Sequence, residues 1–222
     1  MPSSAKQNLS KFGNLIELQT SNIAYPAISG HPDIFFCNFD SCLFTAPNLP
    51  QEYFNFFEKN SISFRSGKKM VESNYPGSAR YNAVVTDDFL IHNIHVTDVV
   101  IKENVGNRFW VNVNQGYARC NLLALPGKRF ITSDRGIERK LLNQQAQILY
   151  VNPEGIVLEG FANGFFGGCC GIFQDTVFIC GSLQYYREGE KVKKMINSCE
   201  LQIIELYDGP LTDTGSIVFV PG

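Results

Sequence analysis

One phrase is written twice in this chain. Gly77-Ser78-Ala79-Arg80-Tyr81-Asn82 leads into the apolar run Ala83-Val84-Val85, and Gly116-Tyr117-Ala118-Arg119-Cys120-Asn121 leads into Leu122-Leu123-Ala124-Leu125. The two arginines are 39 residues apart (119 − 80 = 39). A shared phrase at that spacing marks a supersecondary unit used more than once. In each copy two short apolar stretches flank a polar turn, Thr86-Asp87-Asp88 in one and Pro126-Gly127-Lys128 in the other. That pattern predicts a β-hairpin.

In the second copy a helix and a third strand succeed the hairpin. Ser133 or Asp134 stands where a helix cap belongs, ahead of Glu138-Arg139-Lys140-Leu141-Leu142, and a short side-chain acceptor there satisfies the first free backbone N–H groups. Gln147–Val151 then reads as a strand, ended by Asn152-Pro153-Glu154-Gly155. The unit is strand, turn, strand, helix, strand. Downstream, Cys169-Cys170-Gly171 opens a hairpin around Gln174-Asp175, with a helix from Ser182 through Glu190, Val192, Met195 and Ile196 and a strand over 201–206. Upstream, His31-Pro32-Asp33 opens a hairpin around Asn38-Phe39-Asp40, and Pro50-Gln51-Glu52 opens a helix bearing Tyr53, Phe54, Phe56 and Phe57. A fifth copy begins at Asp213-Thr214-Gly215-Ser216 with one strand, Ile217–Val220. Asn14–Leu18 is the stretch that completes it, which joins the termini in one unit and removes exposed sheet edges. The expected fold class is α+β. One domain is expected over residues 1–222, with 1–13 a flexible N-terminal segment.

Composition narrows the function classes. Hydrophobic residues are 44% and charged residues 18%, which is globular and not disordered. The net charge of −2 provides no field for nucleic acid or an anionic membrane. Lysines and arginines at 65, 68 and 69, and at 191, 193 and 194, read as solvated faces. The first residues contain no apolar core of a leader peptide, and no apolar run suits a bilayer span, so the expectation is a cytoplasmic protein. Seven scattered cysteines argue against a disulfide framework. Without a CxxC pair, and with His31, His92 and His95 far in sequence from Cys169 and Cys170, neither a metal site nor a cofactor is expected. Phosphate-binding glycine loops are also missing from the sequence.

The repeat pattern, with the phrases ARCNLLALPGKRFITSDRGIERKLL and LYDGPLTDTGSIVFV, resembles the pentein superfamily over residues 14–220. The resemblance implies an α/β propeller of about five strand–strand–helix–strand units around a pseudo-fivefold axis. It points to a bacterial branch. The superfamily includes arginine deiminase, dimethylarginine dimethylaminohydrolase and the amidinotransferases, and also the non-enzymatic ribosome anti-association factor. In those enzymes the ligand sits on the axis, where the residues ahead of each first strand converge. A Cys attacks a guanidinium carbon, a His moves protons and carboxylates grip the cation. The matching positions here are Asp33, Arg80 with Asn82, Arg119 with Asn121, Cys169 with Cys170, and Asp213 through Ser216. The enzymes' Cys belongs in the last repeat, where this chain has Leu211-Thr212-Asp213-Thr214-Gly215-Ser216. Their His belongs before the fourth repeat, where it has Phe161-Ala162-Asn163-Gly164-Phe165-Phe166. The standard apparatus is missing from its places.

The candidate residues each have two readings. Cys169 and Cys170, in a glycine-rich segment, are a displaced nucleophile or two small buried residues at a strand start. His31 is the one histidine near an axis position and a candidate for proton transfer. Arg80 and Arg119 either converge on a carboxylate or phosphate or pair with acids of the adjacent unit. Asn82 and Asn121 cap backbone groups or touch ligand. Asp208 and Asp213 either serve turns or face the axis and grip a cation. The expected function is binding of a small charged ligand of amino-acid, guanidino or carboxylate type without standard catalysis. The alternative is a non-catalytic interaction protein.

Overall fold

A computed structural model describes residues 1–220. Helix α1 (Ser3–Leu9) comes first. Then one arrangement occurs four times. A single helical turn, α2 (Pro32–Phe35), precedes strands β1 (Phe36–Phe39) and β2 (Cys42–Thr45), helix α3 (Gln51–Lys59) and strand β3 (Phe64–Ser66). A 3₁₀ turn over Gly77–Ala79 precedes β4 (Val84–Val85), β5 (Phe89–His92), α4 (Val99–Asn104) and β6 (Phe109–Asn112). The turn α5 (Ala118–Asn121) precedes β7 (Leu122–Leu125), β8 (Arg129–Thr132), α6 (Arg135–Leu142) and β9 (Gln147–Tyr150). A 3₁₀ turn over Gly167–Cys169 precedes β10 (Cys170–Phe173), β11 (Thr176–Ile179), α7 (Gly189–Asn197) and β12 (Gln202–Glu205).

Each group forms its own three-stranded sheet with the central strand second in sequence. The first pair is antiparallel, as a tight hairpin requires, and the second is parallel, as a helical crossover allows. Thus Leu122 faces Thr132 across β7 and β8, while Arg129 lies beside Gln147 across β8 and β9. The first hairpin turns at Asp40 and Ser41, both at positive φ (49° and 56°), where the twist of the turn matches that of the strands.

Local sequence accounts for the crossover helices. Asp134 caps α6 by accepting from the Ile137 N–H at 2.8 Å, and Ile137 and Leu141, four residues apart, face the core. Tyr53 and Phe57 do the same in α3, and Val192, Met195 and Ile196 in α7. Asp98 caps α4 from the Val100 N–H. It is fully buried and also accepts from the Lys69 N–H at 2.8 Å and the Tyr81 hydroxyl at 3.2 Å. A carboxylate with that many donors ties the turn ahead of α4 to the preceding unit.

Three expectations change here. Ile217–Val220 and Asn14–Leu18 form no strands, although Leu15 through Leu18 line one cleft with Thr214 and Ser216 through Val218. Their ends are joined by side-chain packing and not by a ladder. Residues 1–13, expected to be flexible, contain α1, whose Ala5 and Leu9 are buried against Phe178, Cys180, Leu206 and Ile217. Ser182 caps only the 3₁₀ turn Leu183–Tyr185, and α7 begins at Gly189. No helix of the structure is long and apolar enough to cross a membrane.

Candidate functional site

The turns before the first strands touch one another in sequence order. Asn82 donates to the Asp33 carbonyl at 3.0 Å, and its own amide oxygen accepts from the Arg119 and Cys120 N–H groups at 2.8 and 3.2 Å. Gly167 lies against Arg119 and Cys120 so closely that an added Cβ would fall 2.2 Å from the Arg119 carbonyl oxygen. The Ser216 N–H donates to the Gly168 carbonyl at 2.8 Å, and the Asp33 N–H donates to the Gly215 carbonyl at 3.0 Å. Contacts therefore run from Asp33 through all the later unit starts and back to Asp33. Gly168 has no space for a side chain either: a Cβ would meet Asp213 Oδ1 at 2.0 Å.

These contacts enclose a buried acidic cluster. Asp33 is completely buried. Its Oδ2 accepts from the Ser216 hydroxyl at 2.8 Å and the Cys120 thiol at 3.0 Å, while Oδ1 has no partner. Asp213 Oδ1 accepts from the Gly215 N–H at 3.0 Å and Oδ2 from the Phe165 N–H at 2.9 Å. Burial, with the Asp33 charge adding to it, raises the Asp213 carboxyl to about 7. His31 Nδ1 lies 3.9 Å from Asp213 Oδ1. Burial lowers the imidazole despite the opposing pull of Asp33. The imidazole thus leans toward its neutral form, and its contact with Asp213 is not an ion pair. Burial, then Asp33 and Asp213, hold the Cys120 thiol well above its ordinary value. Tyr25 and Tyr117 adjoin this end of the cluster, and burial raises both phenols.

The sequence candidates divide between this cluster and other places. Asp33, Asn82, Asp213 and His31 come together in it. Asn121 is adjacent but structural, donating to the Tyr117 carbonyl at 2.9 Å and accepting from the Ser133 hydroxyl at 3.1 Å. Arg80 is bound to Glu72 at 2.6 Å and to the Met70 carbonyl, so the arginines do not converge on one partner. Arg119 reaches Asn38 instead, at 2.8 Å. Asp208 lies in an exposed turn and accepts from Gln184, far from the role of gripping an axial cation. Cys169 and Cys170 are buried in an apolar cluster. Burial pushes both thiols up, the nearby Asp213 carboxyl adds to the rise, and no cation opposes it. A thiol in that state is a poor nucleophile. The glycines of their segment serve the close approaches at Gly167 and Gly168. His92 ends β5, buried between Thr97 Oγ1 and the Gly116 carbonyl, both at 2.7 Å.

Sequence reasoning named Ser216 among the axis positions but passed over Cys120 and Asn38 as site residues. Cys120 stood inside the repeated phrase, at the position Tyr81 holds in the other copy. That mismatch was the available signal.

The amidinotransferase SxtG from Microseira wollei, of the saxitoxin biosynthetic pathway, aligns with a TM-score of 0.55 and 11% identity over 97% of this chain and 80% of that one. The agmatine deiminase of C. jejuni aligns with a TM-score of 0.51 and 10% identity over 74% of this chain. The aligned part spans 60% of the deiminase's length. Identities this low speak to fold alone. The fold is that of the pentein enzymes, within the α+β class. By sequence, the chain belongs to DUF6873, a family of unknown function whose match covers residues 1–218. No curated protein matches it.

Proposed function

We propose that the five unit starts close a ring about a pseudo-fivefold axis, and that the acidic cluster at its centre binds a small cationic ligand of the guanidino or amino type. The cyclic order of contacts from Asp33 to Ser216 and back supports the ring. The observation that carries the ligand is the pair of buried carboxylates, Asp33 and Asp213, with Asp33 Oδ1 unpartnered. An unpaired acceptor in a buried site is costly, and a guanidinium supplies donors in the planar geometry a carboxylate accepts. The rings of Tyr25 and Tyr117 offer a cation further attraction. The Cys120 thiol donates to Asp33 and is held well above its ordinary value, which makes it a poor nucleophile. The reading is a binding protein.

Agmatine, arginine and citrulline are the probes, with thermal shift, calorimetry and ureido-product formation as readouts. Agmatine should stabilise the protein and bind more tightly as pH rises through about 7, where Asp213 ionises. Asp33→Asn should abolish that binding. Lack of stabilisation by any of the three sinks the reading. An interaction protein is the second reading. Phe109 and Trp110, 55% and 41% exposed on the outer strand β6, are the surface that favours it.

A further inference from the structure

We propose a second ligand site, a cavity headed by the Arg119 guanidinium that takes a short aliphatic carboxylate. The cavity has a volume of about 180 Å³. Arg119 and Asn38 are among its polar lining, and Val85, Leu123, Ala124 and Ile172 are among its apolar walls. Ser216 also borders it, but the serine hydroxyl is committed to Asp33. The acidic cluster thus lies beyond Ser216, and no acidic side chain lines the cavity.

Arg119 differs in kind from Arg80, Arg108 and Arg135. Those three have carboxylate partners in Glu72, Asp40 and Glu138. Among the described residues Arg119 has none within ion-pair distance; Nη1 donates to the neutral Asn38 amide, and Nε is buried without a partner. The half-buried Arg119 guanidinium has no counter-charge of its own, which leaves it able to take an anion. An anion with two acceptor oxygens suits it, because a guanidinium presents paired donors in the geometry a carboxylate accepts. The apolar walls define the rest of the ligand. An inorganic anion would leave them wetted, whereas a short alkyl chain covers them. A carboxylate head on Arg119 with a small aliphatic tail toward Ala124 and Ile172 satisfies both requirements. This site does not depend on the cation site proposed above.

Calorimetry with butyrate tests it, with inorganic phosphate and n-butylamine as controls. Butyrate should bind saturably and raise Tm, phosphate should bind more weakly and n-butylamine should not bind. Arg119→Met should weaken butyrate by roughly thirtyfold or more, as expected when one member of a buried charge pair is removed. Ala124→Phe keeps the guanidinium, fills the cavity and should abolish binding; it carries the test if Arg119→Met does not fold. Asp33→Asn should leave butyrate affinity unchanged, which separates this site from the cation site. The proposal is overturned if the unaltered protein fails to bind butyrate, if butyrate affinity is unchanged in folded Arg119→Met or Ala124→Phe, or if phosphate binds as well as butyrate.

Discussion

Asp213 shows how burial changes what a single side chain contributes. Its carboxyl is held at about 7 by burial and by Asp33, whereas in an unfolded chain it would ionise near 4. Between those values the folded protein keeps a proton that the unfolded chain releases. This contribution to stability is thus full below about 4 and is lost as pH rises through about 7. His31 acts oppositely. Its lowered value means that the unfolded chain takes up a proton first, so its contribution falls as pH drops below about 6.5. Asp213→Asn should therefore flatten the loss of stability between about pH 4 and 7 and leave the acid-side loss from His31, as urea melts across pH would record. Gly168→Ala brings a Cβ to 2.0 Å from Asp213 Oδ1. That variant should lower the urea midpoint strongly, because backbone and carboxylate cannot both stay in place.

The elements follow their local signals closely. Turn residues, capping acids and the four-residue spacing of apolar side chains correctly located the hairpins and helices α3 and α6, because those signals act within a few residues. Asp98 connects two elements and was not marked by any such signal beyond its place before an apolar stretch. Asp98→Ala removes the cap of α4 and takes the acceptor from the Lys68 and Lys69 N–H groups, while the Tyr81 hydroxyl keeps the Lys69 carbonyl at 2.6 Å. The expected cost is about 3 kcal/mol, one from the cap and the rest from the stranded donors, measurable by chemical denaturation. Asp98→Asn, which keeps an acceptor oxygen, should recover part of it. The fifth unit failed as a prediction at this scale for a clear reason. A strand is defined by its partner, and Ile217–Val220 has side-chain neighbours but no continuous ladder.

Across the whole molecule, α1 and the C-terminal stretch share one apolar cluster with the fourth sheet. That cluster packs residues about two hundred positions apart against each other. Leu9→Ala should cost about 3 kcal/mol, despite its place in a segment that looks like a free end. Its thermal midpoint should fall accordingly; an unchanged midpoint would mean that α1 contributes nothing to closure.

The repeated phrase around Arg80 and Arg119 and the residues after it were enough to read the strand, turn, strand, helix, strand unit and the α+β class, because hairpin turns, caps and apolar periodicity are short-range properties. The tertiary structure decided the fate of each residue in that phrase. One arginine is neutralised by Glu72, and the other stands unpaired in a cavity. Tyr81 binds Asp98, while Cys120, its counterpart, binds Asp33. Asp208 and Asp213, five residues apart, are separated into an exposed turn and a buried cluster. Those outcomes depend on which distant groups share a site and on how much water it excludes, and neither quantity is written in a residue's sequence neighbours.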